Sequence, residues 1–230
     1  MKFGLSLISG VHSKEREAIM SRSLISLANT DTSGFPEKPK LLCTINTYVP
    51  IYKQLFDMLS INFDFEVVKE PDTIKGAMPV AVASASILLL IPDITHVVFL
   101  WDDFIYNPEW LHELYKLINR HPDGVAWSVY RSRFTRHHRI VGGDGTDVLM
   151  TMHDGIGCVT REEWFEYCKT HNGSDFSVPL DFPGGGSTPD IHHACVRPGN
   201  RWATSKDYCE NIGRHIGIEK VDCAIDFVGE

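Results

Sequence analysis

The chain has no long apolar run, no closely paired cysteines and no cationic excess, and each lack narrows what it can be. Across its 230 residues no stretch approaches the roughly 20 apolar residues of a membrane-spanning helix. Met1 to Ser9 is too short for the charged, apolar and small-residue regions of a signal peptide, so a soluble, cytoplasmic protein without a transmembrane segment is expected. The six cysteines, Cys43, Cys158, Cys168, Cys195, Cys209 and Cys223, form no CxxC pair and are widely spread. That argues against a zinc knuckle or a dense disulfide framework and for reduced core residues. A formal charge of −8 argues against general affinity for nucleic acid or anionic membrane, since both need clustered cations. No GxGxxG follows the first apolar segment, where Ile8-Ser9-Gly10-Val11-His12-Ser13 stands instead, and neither GxxxxGKS/T nor GxSxG occurs. Nicotinamide dehydrogenases, P-loop NTPases and α/β-hydrolases thereby lose their main sequence support.

What is present is a composition of 43% hydrophobic and 23% charged residues, enough for a substantial core and best fitted by one large α/β domain. The most informative segment runs from His96 to Trp110. Val97 to Trp101 has the length and the β-branched and aromatic content of a buried strand, and it ends in Asp102-Asp103. Two acids there emerge together at a sheet edge, which is where open α/β sheets bind ligands. The plain alternative is a strand-to-helix turn with one acid as the helix cap. That duty is already supplied by Asn107, with Pro108 at the first helical position, Glu109 at the positive helix end, and Trp110, Leu111, Leu114, Tyr115 and Ile118 on one face. Adjacent carboxylates repel, and burying either uncompensated raises its pKa, so the pair points to a divalent cation.

Around this segment strands and helices alternate. Phe3 to Ser9 reads as a strand, followed by a helix over Lys14 to Ala28. Lys40 to Asn46 is a strand, followed by a helix from Pro50 to about Leu59. Phe63 to Val68 is a strand, followed by a helix within Lys75 to Ile91 whose Ala77, Ala81 and Ala85 can lie close to a sheet. Val125 to Tyr130 continues the pattern. This predicts a mostly parallel central sheet with helices on both faces. Later, Gly142 to Gly145 is a turn, Val148 to Met152 a candidate strand and Thr160 to Thr170 a helix. The chain from His171 to Gly186 is loop-like. Arg131, Arg133, Arg136, His137, His138 and Arg139 form a local basic patch, either a solvated loop or a surface for an anionic donor or phosphate-bearing acceptor.

In this order the segments resemble the metal-dependent nucleotide-sugar glycosyltransferases of the GT-A fold, family 2 type. Arg22-Ser23-Leu24-Ile25-Ser26-Leu27 is similar to that family's first helix. Val98-Phe99-Leu100-Trp101-Asp102-Asp103 is similar to its strand ending in DxD, although the first aspartate of a strict DxD would fall on Trp101. The resemblance implies a single GT-A-like, Rossmann-like domain over residues 1–230, with a nucleotide-sugar-binding half (1–130) and an acceptor-side, catalytic half (131–230). It makes Asp103 the better ligand for Mn²⁺ or Mg²⁺, with Asp102 touching ribose, sugar or the same ion. Asp154-Gly155-Ile156-Gly157 is similar to the segment leading into the acceptor-side helix, where Gly155 and Gly157 would let backbone approach the donor sugar. Asp190 stands where the family carries its catalytic acid pair, with Pro189 in place of the first acid; the other reading of Asp190 is a cap on the following segment. A C-terminal ligand would be His215, or Asn211 occupies that position and no histidine does. His192 and His193 are further candidates, and their adjacency keeps both from facing one site on a regular element.

The resemblance implies an inverting transfer of a hexosyl or pentosyl group from a nucleoside diphosphate, UDP by default, to a hydroxyl. Asp190 would be the base, and Ser9, Thr44 and Asn46 would lie near the nucleobase. Lys75 would reach phosphate or base, or be solvated. The acceptor is open among glycan, lipid, protein and modified nucleic acid. Two other readings stand beside this one. The first is a metal-dependent phosphoesterase or nuclease drawing on Asp144, Asp147 and Asp154, which would need more clustered carboxylates than Asp102 and Asp103 supply. The second is a domain that binds nucleotide sugar or glycan without turnover.

Overall fold

A computed structural model describes residues 1–70, 77–131, 140–150, 156–172, 199–213 and 227–229. The first half forms as its apolar runs dictate. β1 (Phe3–Ser9), β2 (Lys40–Ile45), β3 (Asp64–Lys69) and β4 (His96–Trp101) pair in parallel in the order β3-β2-β1-β4. Between them run α1 (Lys14–Ala28), α2 (Ile51–Asn62) and α3 (Ala77–Leu89). Ser13 caps α1 by accepting from the Arg16 amide, which satisfies one of the amides a helix start leaves unpaired.

Burial on both sheet faces explains why β4 is apolar from Val97 to Trp101 and why the polar residues of β1 are small, buried serines. Leu5 and Leu7 of β1 and Val98 and Leu100 of β4 face a core shared with α1, α2 and α4 (Trp110–Arg120). Ile8, Val97 and Phe99 face the other core, with Ala81 and Ala85 of α3 and Trp164 of α5 (Arg161–Asn172). Small residues bring α3 close to the sheet. A Cβ on Gly4 would meet Ile94 at 3.0 Å and Leu88 at 3.3 Å, so Gly4→Val would force α3 away from β1.

Beyond β4 the sheet continues through β9 (Gly157–Thr160), β6 (Ala126–Ser128), β10 (Arg201–Thr204), β8 (Asp147–Met150) and β7 (Ile140–Gly143). β9 and β8 oppose the common direction of the other seven strands. The result is one mixed α/β domain with a large, mostly parallel sheet flanked by helices, as the alternation predicts.

Three details differ from the sequence reading. Gly142 and Gly143, expected as turn, end strand β7, and the turn itself is carried by Gly145 at a φ of 92°. The helix after the acidic pair starts at Trp110 and not at Pro108, because Asn107 caps through an intervening turn: its Oδ1 accepts from the Glu109 amide and its carbonyl from the Trp110 amide. A short strand, β5 (Phe104–Tyr106), precedes that turn and pairs antiparallel with β11 (Cys209–Asn211). This pairing draws the C-terminal part of the chain to the end of β4.

Candidate functional site

The acidic pair sits in the turn between β4 and β5, at the carboxyl edge of the parallel strands. Several bonds hold that turn. Tyr106 Oη donates to the Trp101 carbonyl at 2.7 Å and accepts from the Trp101 amide at 3.1 Å. Ser26 of α1 accepts from the Tyr106 amide at 3.1 Å, so the helix after the first strand supports the turn directly.

The two aspartates have different surroundings. Asp102 is buried, at 2% exposure. Its Oδ2 accepts from Ser9 Oγ at 2.7 Å and from the Gly10 amide at 2.9 Å, and its Oδ1 is bound by the Arg16 guanidinium. Burial pushes its pKa up to about 6, against the Arg16 charge and the hydrogen bonds of Ser9 and Gly10, while the neighbouring Asp103 adds to the rise. Asp103 keeps 16% side-chain exposure, and its Oδ2 lies 3.5 Å from Arg16 Nη1. Its carbonyl accepts from the Ile212 amide at 2.7 Å. Gly213 abuts its side chain so closely that an added Cβ would collide with Oδ2 and stand 3.0 Å from both Cβ and Cγ. The main chain just past β11 thus forms a wall against Asp103, and a side chain at 213 would displace one or the other.

The other sequence candidates fall in varied places. Ser9 is buried, and its hydroxyl joins Asp102 to Tyr52 Oη at 2.6 Å. Thr44 is buried against Ser84 Oγ at 2.5 Å, tying β2 to α3. Asn46 is half-buried, and its Oδ1 accepts from the Val11 amide at 3.1 Å, fixing the loop after β1. Gly157 is buried in β9 opposite Phe99. Asn211 Oδ1 accepts from the Gly213 amide at 2.8 Å, which spends that oxygen on shaping the wall. Lys75, Asp154, Gly155, Asp190, His192, His193 and His215 lie outside the described residues, as do 132–139 of the basic patch. Arg131 is set apart from any surface patch: it is buried in a two-bond pair with Asp207 at 3.0 and 3.1 Å.

Asp144 and Asp147 join a second cluster. Their carboxylates and His121 bring ligand atoms within 4.8 Å of one another, a group that could hold a metal ion. Asp147 is paired with Arg120 through two bonds of 2.7 and 2.9 Å and with His121 Nε2 at 3.0 Å. Asp144 accepts from the Thr146 and Asp147 amides, both at 2.8 Å, and those two backbone bonds hold its carboxyl below the usual range. The His121 ring stacks on Trp202 at 3.6 Å.

Sequence reasoning missed Arg16, Tyr52, Tyr106 and Gly213. For Tyr106 a signal existed, since Phe104-Ile105-Tyr106 is a run of aromatic and β-branched residues of strand type before the Asn107-Pro108 turn. Arg16 lies 86 positions from Asp102, and no local pattern joins them.

No family model and no curated protein matches the sequence. Among solved structures the chain is similar to S. aureus TarS. Against TarS 1-349 in complex with UDP-GlcNAc the TM-score is 0.58 at 13% identity, over 96% of this chain and 62% of that one. Against the same fragment in complex with UDP it is 0.55 at 13% identity, over 91% and 60%. The chain therefore spans about three fifths of those structures, and it shares their fold.

Proposed function

We propose that the protein is a metal-dependent glycosyltransferase that moves a sugar from a nucleoside diphosphate, UDP by default, to an acceptor hydroxyl with inversion. The observation that carries this reading is Asp103: a partly exposed carboxylate at the carboxyl edge of the parallel strands, walled by Gly213. The likeness in fold to a protein solved with UDP-GlcNAc and UDP supports it.

The site's chemistry suits a hard divalent ion. Asp103 offers carboxylate oxygen, and a side chain larger than glycine at 213 would fill the space beside it. His215 follows two residues later in the sequence and would supply an imidazole suited to a borderline ion such as Mn²⁺. An ion held by Asp103 and His215 would offset the negative charge that develops on the diphosphate as its bond to the sugar breaks. Asp102 acts through position: held by Ser9, Gly10 and Arg16, it anchors the turn that aims Asp103. Asn46 fixes the loop after β1, beside which the nucleobase would lie, and Lys75 would meet phosphate. Residues 1–130 would hold the donor in this reading, with Gly155 and Gly157 letting the backbone approach the donor sugar, while 131–230, with Asp190, would supply the acceptor side and the base. Asp190 accepts the proton of the attacking hydroxyl.

Release of UDP from UDP-sugars with Mn²⁺ present tests the activity. Asp190→Asn should retain UDP·Mn²⁺ binding and lose turnover by roughly a hundred- to ten-thousandfold. Turnover at the parent rate would remove Asp190 from the role of base.

A further inference from the structure

The two-stranded ribbon that follows the acidic turn has a second face. Side chains alternate across a strand, so Phe104, Tyr106, Cys209 and Asn211 turn inward and are buried, whereas Ile105 and Glu210 turn outward. That outer face borders a cleft of about 560 Å³, a size within the span of small-molecule sites. Ile105 and, just past β11, Ile212 line it together with Phe227, and α1 contributes Arg22, Ile25 and Asn29. Those three stand at helical spacing on one face and make a stripe about 10 Å long, polar at both ends and apolar between. Ile25 is 43% exposed. Among the described residues the side chains of Arg22 and Asn29 make no hydrogen bond or ion pair.

We propose that this cleft is an acceptor subsite for a neutral oligosaccharide, with sugar hydroxyls on Arg22 and Asn29 and the C–H faces of the rings on Ile25, Ile105 and Phe227. The proposal rests on the nucleotide-sugar reading above. A guanidinium and an amide supply the donors and the acceptor that sugar hydroxyls need, and apolar side chains between them suit the C–H faces. The lining carries one charge of each sign, Arg22 and Glu210, in a chain of net charge −8. A neutral ligand fits that balance, whereas an anionic one meets repulsion. A lipid tail is a poor match, because covering Arg22 or Asn29 with hydrocarbon leaves polar groups buried without partners. Position supports the assignment as well. Ile105 is two residues from Asp103, about 7 Å along an extended chain, so a glycan lying in the cleft can end at the acidic turn.

The test is titration of the full-length protein with neutral tetrasaccharides of glucose, mannose, galactose and N-acetylglucosamine, read by saturation-transfer NMR with and without UDP and Mn²⁺. Tetragalacturonate is the anionic probe, and dodecyl maltoside below its micelle-forming concentration is the lipid-like one. A neutral tetrasaccharide should bind more tightly than either. Arg22→Ala/Asn29→Ala should weaken that binding by about tenfold, as expected for two lost hydrogen bonds, and Ile25→Glu should weaken it as well. All three positions are exposed, so both variants keep the fold and should bind UDP·Mn²⁺ as the parent does. Tetrasaccharide binding that the variants leave unchanged overturns the proposal, as does tighter binding of either other probe. A parent that binds UDP·Mn²⁺ and no tetrasaccharide overturns the proposal while the donor reading stands. A parent that binds a tetrasaccharide but no UDP at any Mn²⁺ concentration overturns the donor reading and the acceptor role with it, and one that binds neither overturns both.

Discussion

The Asp102–Asp103 turn and the Asp144–Asp147 hairpin use the same parts, two carboxylates, an arginine and backbone amides, and arrange them to opposite ends. In the hairpin the arginine grips a single carboxylate with two bonds, and the second aspartate is bound by its own backbone. In the turn one arginine spans both carboxylates, tightly on buried Asp102 and loosely on the more open Asp103. The lesson is that proximity of acids does not identify a ligand site. What differs is how many bonds fix each carboxylate and how open it stands to solvent. Asp147, with Arg120 and His121 on it, is committed. Asp103 has a partner at 3.5 Å and a glycine wall beside it.

The sharpest break of this comparison is to remove each candidate ligand in turn. Asp103→Ala should weaken Mn²⁺-dependent UDP binding beyond the roughly tenfold to hundredfold typical of residues that only support a ligand. Asp144→Ala should leave it unchanged by calorimetry. Loss of binding in Asp144→Ala, with Asp103→Ala unaffected, would move the donor metal to the hairpin.

Stability should respond in the reverse order. Asp147→Ala strands Arg120 and His121 beside an empty space, and breaking a buried pair this way costs about 3–5 kcal/mol. Arg120 is itself 36% exposed, so water takes up part of the deficit and about 3 kcal/mol is expected from urea unfolding. UDP binding by the folded fraction should be that of the parent.

How much of this could be read from residues alone follows from how far apart the interacting partners lie. Each parallel strand of the first half is an apolar run with its own helix, so β1 and α1 fall on the expected residues, and the end of β4 is visible as an apolar run meeting two acids. The later strands have only three or four residues and owe their pairing to distant partners, such as Trp202 opposite Leu149 and Glu210 opposite Ile105. Of these, β6 and β8 fall within Val125 to Tyr130 and Val148 to Met152, which read as strands locally, whereas β7, β10 and β11 are not read from local pattern. The acids of the site were legible for the same reason as β4, whereas Arg16 and Gly213 gain their meaning only once β5 and β11 pair and α1 packs on the turn.

The two clusters should also titrate with opposite signs. Burial raises Asp102 from its ordinary 3.8 to about 6. A carboxyl that holds its proton more tightly in the folded state adds stability that is fully present below about pH 4 and lost as pH rises through 6, by about 3 kcal/mol for a difference of this size. Asp144, lowered by its backbone bonds, adds stability above its unfolded pKa that is lost as pH falls through its folded one. In metal-free protein, the stability of the parent relative to Asp102→Asn should therefore fall from pH 4 to 7, and that relative to Asp144→Asn should rise over the acid end. A parent that gains on Asp102→Asn with rising pH would mean that the Arg16 charge outweighs burial.

The smallest expected effect tests the wall itself. Gly213→Ala places a methyl group against the Asp103 carboxylate, with Asp103 Cβ and Cγ only 3.0 Å from it. Either the β11 segment or Asp103 must shift, and the cost of such overpacking is about 1–3 kcal/mol. If Asp103 is the part that yields, its ligand oxygen is misplaced and UDP·Mn²⁺ binding weakens by about tenfold, since even a small displacement of a positioned group is felt strongly. Gly142→Ala in the hairpin is the matched control, because a methyl group there meets Leu149 at an ordinary 3.5 Å. It should leave UDP binding unaltered. Equal behaviour of the two variants in UDP binding would show that Gly213 only closes β11 against β5 and has no part in shaping the space beside Asp103.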